Sequence, residues 1–226
     1  MRASGILLPV SSLPGKYGIG SFSEEAYKFV DFLKDSKQQY WQILPIGPTS
    51  YGDSPYQSFS TYAGNPYFIS LEELIEQGLL TEKECDKVDF GDKIDKVDYE
   101  KLYNGRFKLL KKAYKRSNIR EREEFKKFKD ENQYWLNDYA MFMAIKERFK
   151  GQSFDNWAED IKLRWGYSME YYQNELKEEI EFYEFVQYEF YRQWYKLKKY
   201  ANDNGVKIIG DIPIYVAYDS ADVWSH

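Results

Sequence analysis

The chain has 226 residues and a formal net charge of −5, with 32 Lys and Arg residues against 37 Asp and Glu residues. This length suffices for one large domain or two small ones, and the acidic balance excludes the basic surface by which proteins bind nucleic acids. The single cysteine, Cys85, and the single histidine, His226, exclude an internal disulfide, a His/Cys metal cluster and, unless His226 takes part, a Ser-His-Asp site.

The first predicted elements form a strand–helix–strand unit. Residues 5–10 (GILLPV) are a short apolar run followed by the loop SSLPGKYGIGS, and residues 40–46 (YWQILPI) are a second such run. Between them Ser23 is positioned to cap a helix, because Glu24 and Glu25 follow it at the positive end of the helix dipole. The spacing predicts two parallel strands joined by a right-handed crossover.

The amino-terminal apolar run also bears on localisation. It is too short for the hydrophobic region of a signal peptide or for a membrane span. A lone cysteine is typical of a reducing compartment. We therefore expect a cytoplasmic protein with no membrane partner.

The loop after the second strand is the most informative segment for function. Residues 41–68 (WQILPIGPTSYGDSPYQSFSTYAGNPYF) combine Gly, Pro, Ser and Tyr with one acid, Asp53, and no base. A phosphate site would require Arg, Lys or a glycine-rich turn at a helix start. Hydroxyls, amides and aromatic faces without positive charge instead favour a neutral polyhydroxy ligand, which indicates a sugar.

The middle of the chain reads as helical for about 130 residues, as its apolar periodicity indicates. A short helix ends at Gly78, residues 81–98 read as a surface loop, and the helices from Tyr99 to Lys150 break at Ser117-Asn118 and end at Gly151. The longest helix is predicted from Ser168 to about Asn202. One face of it forms a core-facing stripe with a single polar member: Leu176, Ile180, Tyr183, Gln187, Phe190, Trp194, Leu197 and Ala201.

Asn204-Gly205 ends that helix, and residues 206–218 (VKIIGDIPIYVAY) predict a third, buried parallel strand, which Gly210-Asp211 interrupts with a kink and a carboxylate. The carboxyl ends of parallel strands meet on one rim, so the loop SSLPGKYGIG, the 47–66 loop and Asp211 with the YDSADVW tail are predicted to gather there around one cleft. Its candidate lining residues are Tyr17, Tyr51, Tyr56, Gln57, Asn65 and Asp211. Two alternatives remain for each acid: Asp211 contacts the ligand or pairs with a base, and Asp53 lies on the rim or forms a turn. These residues predict a sugar-binding cleft, but they do not supply the two carboxylates that glycoside chemistry requires.

Three segments resemble the 4-alpha-glucanotransferase family, also called amylomaltases or disproportionating enzymes (glycoside hydrolase family 77). They are GILLPVSSLPGKYGIGSF, YWQILPIGPTSYGDSPYQSFSTYAGNPYFI and IIGDIPIYVAYDSADVW. The resemblance implies an α/β fold, the amino-terminal portion of a (β/α)8 TIM barrel with a large all-helical insertion. Residues 1–51 would form the first βαβ unit, 52–200 the substrate loop and helical insertion, and 201–226 the third barrel strand.

The resemblance also implies an activity. Family members transfer alpha-1,4-glucan segments between maltooligosaccharides, amylose or starch chains, or to glucose as acceptor, by a retaining double displacement without cofactor or metal. Tyr56 resembles the aromatic residue at the sugar cleft, with Ser54 beside it, and Asp211 resembles the strand aspartate close to the nucleophile. Tyr51 and Tyr103 fall where the family holds glucan at a second surface site.

The family's catalytic residues lie further along the chain than His226, so the resemblance implies no catalytic residue here and predicts that these 226 residues alone are inactive. Three strands without the rest of a barrel would leave apolar edges that promote self-association. Two alternatives stay open. The chain is a non-catalytic glucan-binding module, or residues 99–202 form a helical interaction protein whose tyrosines serve packing.

Overall fold

A three-stranded parallel sheet and a larger set of helices make up residues 2–49, 52–91, 93 and 95–226, the part of the chain that this computed structural model describes. The strands are β1 (Gly5–Leu7), β2 (Tyr40–Gln42) and β3 (Lys207–Ile209), in the spatial order β1-β2-β3. The helices are α1 (Glu24–Asp35), α2 (Leu71–Glu76), α3 (Glu82–Asp86), α4 (Tyr99–Arg116), α5 (Glu123–Arg148), α6 (Glu159–Lys162), α7 (Gly166–Glu175), α8 (Lys177–Asp203) and α9 (Ala221–Ser225). Short 3₁₀ turns lie at Val10–Ser12, Pro66–Phe68, Ile119–Glu121 and Phe154–Asn156.

The sheet confirms the predicted parallel arrangement. Tyr40 pairs with Gly5 on one side and with Lys207 on the other, and the register continues in step along β2. Trp41, at the centre, is fully buried, and its indole N–H donates to the carbonyl of Leu8 at 2.8 Å. Both neighbouring strands are therefore held by the middle one, and β1 and β3 are the edges of the described sheet.

The third strand is much shorter than the sequence predicts, and the expectation of a buried run through residue 218 is wrong. Pairing stops at Ile209, and most side chains from Gly210 to Tyr218 are exposed, with Ile214 at 89%. Pro213 has no N–H to donate to a ladder. Self-association through the open edges of the three strands stays a prediction.

Helix boundaries follow the predicted stop signals at several positions. Gly78, Gly151 and Gly205 all have positive φ just beyond a helix end, and Asn118 does so after α4. Ser23 stands at the N-cap of α1 as predicted, although its hydroxyl makes no capping hydrogen bond.

Two helix predictions are wrong. The predicted helix from Ser168 is two helices, α7 and α8, separated at Leu176, and Ser168 lies inside α7 with its hydroxyl donating to Asp160 at 2.5 Å. The predicted surface loop 81–98 contains α3. Thr81 and Glu84 form a capping box there, which satisfies the first backbone donors of a very short helix.

The chain divides into two compact units, each with its own core. The first comprises Met1–Ile46, Asn65–Asn118 and Glu189–Ile212, and the second comprises Gly47–Gly64, Ile119–Tyr188 and Pro213–His226. The predicted division at residues 51 and 200, by barrel element and insertion, stays a prediction.

Aromatic rings pack against one another in the core of each unit. In the first unit the ring of Phe22 packs against Phe190 and Trp194, with centroids 5.2 and 5.6 Å away. In the second unit Phe142 packs against Trp157 and Trp224, at 5.4 and 5.9 Å. Along the described residues, no helix combines the length and the apolar character that crossing a bilayer requires.

Candidate functional site

The loop predicted to contact sugar forms a tight turn at Ser54–Gln57 in the second unit. The carbonyl of Ser54 accepts the N–H of Gln57 at 3.1 Å, and the hydroxyl of Ser54 accepts the N–H of Tyr56 at 3.3 Å. The Tyr56 side chain is 47% exposed. The structure therefore brings Ser54 and Tyr56 together and presents a phenol ring at the surface.

Asp53 precedes this turn in a left-handed conformation, with φ of 55°. Asp tolerates this region better than most residues, which favours the turn-forming alternative. Burial raises the pKa of its carboxyl above the usual value.

Serine side chains hold the base of the loop. Ser58 forms an antiparallel bridge with Thr49, and its hydroxyl donates to the carbonyl of Ser60 at 2.7 Å. A Cβ on Gly47 would lie 3.0 Å from this hydroxyl, so a larger residue there would displace it. Close packing between Gly47 and Ser58 therefore holds the two ends of the loop together.

Asp222 on α9 also binds this loop. Its Oδ2 accepts both the N–H and the hydroxyl of Thr61, each at 2.6 Å. The N–H of Ala221 donates to the carbonyl of Phe59 at 2.8 Å. The YDSADVW tail is predicted to gather with this loop at one rim, and Asp222 contacts Thr61, 161 residues earlier in the chain. No local sequence pattern indicates that these two residues are the ones in contact.

Gln187, the polar member of the predicted stripe, binds the end of the loop. Its side-chain oxygen accepts the N–H of Gly64 at 2.7 Å, and its amide nitrogen donates to the Gly64 carbonyl at 3.0 Å. The hydroxyl of Tyr139 also bonds to Gln187, and burial raises the pKa of Tyr139 above its usual range. The sequence signal for this role was a glutamine on an otherwise apolar helix face. In the structure its side chain is fully buried, and a buried amide requires hydrogen-bond partners.

A buried ion pair supports the same region. The ammonium of Lys146 lies 2.5 Å from Oδ2 of Asp219, whose Oδ1 accepts the N–H of Phe154 at 3.2 Å. The same ammonium lies 5.1 Å from the ring centroid of Phe59 in the loop. Phe59 of the loop thus lies beside a buried Lys146–Asp219 ion pair whose two charged groups have hydrogen-bond partners.

Asp211 lies in the first unit, two residues beyond the end of β3. It is half-buried, and its Oδ1 accepts the N–H of Ile212 at 2.9 Å. The prediction of a carboxylate inside a buried strand is therefore wrong, because the strand ends before it. Its role as a ligand contact or as a structural ion-pair partner stays open.

Of the two tyrosines predicted at a second glucan site, Tyr51 lies outside the described residues. Tyr103 projects from α4 in the first unit with 53% of its side chain exposed. The centroid of its ring lies 4.9 Å from the ring centroid of Phe107, one turn along the helix. This arrangement gives an exposed phenol supported by a second ring.

Two residues predicted to line the cleft are buried. Tyr17 is buried against Phe90, with ring centroids 6.1 Å apart, and Asn65 is buried and caps a 3₁₀ turn by accepting the N–H of Tyr67 at 3.0 Å. Gln57 is exposed, as a ligand contact requires. A common cleft for Tyr56 and Asp211 stays a prediction.

The loop after β1, also predicted at the rim, lines a cavity of about 1220 Å³ in the first unit. The wall includes the hydroxyl of Ser23, which has no hydrogen-bond partner among the described residues, and the carboxylates of Glu72 and Glu73. Polar groups of both hydrogen-bonding types thus line this cavity, and the position of this loop at a ligand-binding rim stays a prediction.

Comparison with known proteins identifies the family. Residues 8–226 match the family model described as 4-alpha-glucanotransferase, Glyco_hydro_77. A 4-alpha-glucanotransferase of Clostridium butyricum is 52% identical over 96% of the chain and 45% of its own length, and one of Thermus thermophilus is 44% identical over 100% and 45%. One solved structure that the chain resembles is an amylomaltase from Streptococcus agalactiae in complex with acarbose, with a TM-score of 0.94, 44% identity, and coverage of 100% of this chain and 46% of that one.

The chain spans about half the length of the curated relatives that it matches. The match runs through most of the first segment on which the resemblance was based and through all of the other two, and it also includes the helical middle. The chain belongs to the 4-alpha-glucanotransferase family, glycoside hydrolase family 77.

Proposed function

We propose that this chain supplies glucan contacts to a 4-alpha-glucanotransferase, which transfers alpha-1,4-glucan segments between maltooligosaccharides, amylose or starch chains, or to glucose. Its relatives carry that name, and the Streptococcus agalactiae amylomaltase was solved with acarbose. The observation that carries the proposal is the Ser54–Tyr56 turn, an exposed phenol and hydroxyl on a firmly anchored loop without a basic residue.

The sheet supports a barrel as the framework. Three parallel strands lie side by side in their chain order, as in a singly wound barrel, whereas a doubly wound sheet reverses its order at a switch point. We infer that β1, β2 and β3 are strands of a (β/α)8 barrel and that the helices between β2 and β3 include an insertion. The single buried thiol of Cys85 agrees with a cytoplasmic location.

We assign sugar binding to residues of this chain, but not the cleavage of the glycosidic bond. Retaining transfer requires a carboxylate nucleophile and an acid/base carboxyl about 5–5.5 Å apart. We assign neither role to a residue of this chain. Asp211, with one oxygen on the Ile212 N–H, offers its carboxylate as a contact to sugar hydroxyls.

Replacing Tyr56 by alanine is expected to weaken maltoheptaose binding about threefold to tenfold, because an aromatic face contributes about 0.5–1.5 kcal/mol beyond simple burial. Tyr56→Phe keeps the ring and is expected to keep most of the affinity. Isothermal titration calorimetry measures both. Tyr195→Ala, at another exposed tyrosine, is the matched control. Equal affinity in Tyr56→Ala and the wild type would overturn the proposal.

A second candidate, a non-catalytic glucan-binding module, is favoured by one observation, the exposed ring of Tyr103 against Phe107. We propose a second glucan contact there. Tyr103→Ala is expected to reduce retention on immobilised amylose about threefold while leaving maltotriose affinity unchanged, because only a long chain reaches a second contact. Affinity electrophoresis in amylose gels measures retention, and loss of maltotriose binding in the same variant would contradict a separate site.

A further inference from the structure

We propose that Asp222 is a positioning residue that holds the glucan loop in its binding conformation. The inference rests on the proposed function of that loop, residues 52–64. It concerns a carboxylate that bonds to Ser60 and Thr61 and acts through the loop's own hydrogen bonds.

The contact is strong because one carboxylate serves several donors. Oδ2 accepts the Thr61 N–H and hydroxyl at 2.6 Å each, and Oδ1 accepts the Ser60 hydroxyl at 3.4 Å. Hydrogen bonds to an ionised acceptor are shorter and roughly twice as strong as neutral ones. The carboxylate therefore fixes both the backbone and the side chains of two successive loop residues.

From this contact a set of hydrogen bonds reaches Ser58, the residue that directly follows the Ser54–Gln57 turn. The Ser60 hydroxyl accepts the N–H groups of Tyr62 and Ala63 at 3.2 and 3.3 Å. Ser60 also exchanges two hydrogen bonds with the hydroxyl of Ser58, its N–H donating at 3.3 Å and its carbonyl accepting at 2.7 Å. Ser58 is the residue that bridges to Thr49 and closes the loop. A shift at Thr61 is therefore passed on to the base of the turn that carries Tyr56.

Asp222 is itself rigidly held. It lies in the first turn of α9, where the hydroxyl of Ser220 caps the N–H of Val223 at 3.2 Å. Trp224, two residues further on, is buried, and its indole N–H donates to the carbonyl of Ile161 at 3.1 Å. A carboxylate on such an anchored element can impose its geometry on a loop.

Asp222 and Thr61 are not core residues. Asp222 is half-buried and Thr61 is exposed, whereas the nearby Lys146–Asp219 pair is buried. Removing the Asp222 charge should loosen the loop and leave the global fold in place. This separates a positioning role from a structural one.

The test uses the complete 226-residue chain with maltoheptaose as the probe. Asp222→Asn is expected to raise the dissociation constant about fivefold to tenfold, since the loss of a charge-assisted hydrogen bond corresponds to about a tenfold change per 1.4 kcal/mol. In the absence of glucan, the exchange rate of the Gln57 amide proton is expected to rise about tenfold with little change in the melting temperature, because local opening is independent of global unfolding.

The second pair of variants keeps the proposal testable if Asp222→Asn does not fold. Thr61→Val removes only the hydroxyl donor and is expected to raise the dissociation constant about threefold, since one hydrogen bond to a charged group is lost. Thr61→Ser keeps the donor and is expected to behave like the wild type. Asp203→Asn, at an exposed pair with Lys199, is the charge-matched control.

The outcomes are distinct. Unchanged affinity and unchanged Gln57 exchange in Asp222→Asn, or equal behaviour of Thr61→Val and Thr61→Ser, overturns the positioning role. Faster Gln57 exchange in Asp222→Asn, together with a wild-type chain that does not bind maltoheptaose, supports the positioning role and overturns the proposed function.

Discussion

Replacing Lys146 by methionine is expected to lower the free energy of unfolding by about 3–5 kcal/mol, because it leaves the carboxylate of Asp219 buried without its counterion. Lys146 is only 5% exposed, and its ammonium lies 2.5 Å from that carboxylate. It also donates to the carbonyl of Gln152 at 3.2 Å. The variant therefore removes the partner of a buried charge and of a carbonyl at once.

Urea unfolding followed by tryptophan fluorescence measures this loss. Lys199→Met removes an exposed i,i+4 pair with Asp203 and is expected to change stability by no more than about 0.5 kcal/mol. The double variant Lys146→Met/Asp219→Leu is expected to recover much of the stability, because an apolar pair of similar volume replaces both charges. A loss in Lys146→Met no larger than that in Lys199→Met would contradict the assigned role.

The local parts of this fold could be predicted from the sequence. The strand–helix–strand unit was visible because Ile6, Leu7 and Trp41 lie in short apolar runs around a capped amphipathic helix. Gly78 and Gly205 marked helix ends because the chain needs positive φ there. These signals act over a few residues, so one sequence suffices to read them.

The errors arise where a local pattern continues but the hydrogen bonding does not. The apolar residues after Ile209 read as a buried strand, yet burial depends on neighbouring elements that composition does not specify. Leu176 fits the helical stripe and is buried, although the backbone there leaves the α region with φ of −107° and ψ of 25°. A break in backbone geometry does not alter apolar periodicity, and the sequence pattern could not reveal it.

In the candidate site, too, the local features could be predicted from the sequence and the long-range contacts could not. The turn that joins Ser54 and Tyr56 follows from the turn-forming residues around it, and in the structure the Ser54 hydroxyl accepts the N–H of Tyr56. The anchors were missed because Gln187 reaches Gly64 across 123 residues and Asp222 reaches Thr61 across 161. Only the polarity of Gln187 on an apolar face indicated that a distant partner existed.

Replacing Arg106 by methionine is expected to lower the free energy of unfolding by roughly 2–4 kcal/mol, since two buried carbonyls lose their donor at about 1–3 kcal/mol each. The guanidinium is 1% exposed, and it donates from Nη1 to the carbonyl of Tyr17 at 3.2 Å and from Nη2 to that of Ile69. Both accepting residues are themselves buried. The side chain therefore links α4 to the loop after β1 and to the segment before α2.

The substitution also has a stabilising effect, so whether the free energy of unfolding falls or rises shows which of the two effects is larger. Burial lowers the pKa of Arg106 to about 10, which shows that the charge is costly in its place, and methionine removes that cost. Methionine also keeps most of the side-chain volume, so little cavity forms. We expect the unsatisfied carbonyls to outweigh the relief, because the two are held in place by surrounding backbone. Urea unfolding measures the change, with the exposed Lys108→Met on the same helix as control. A more stable Arg106→Met would show that charge burial dominates and that the two carbonyls find other donors.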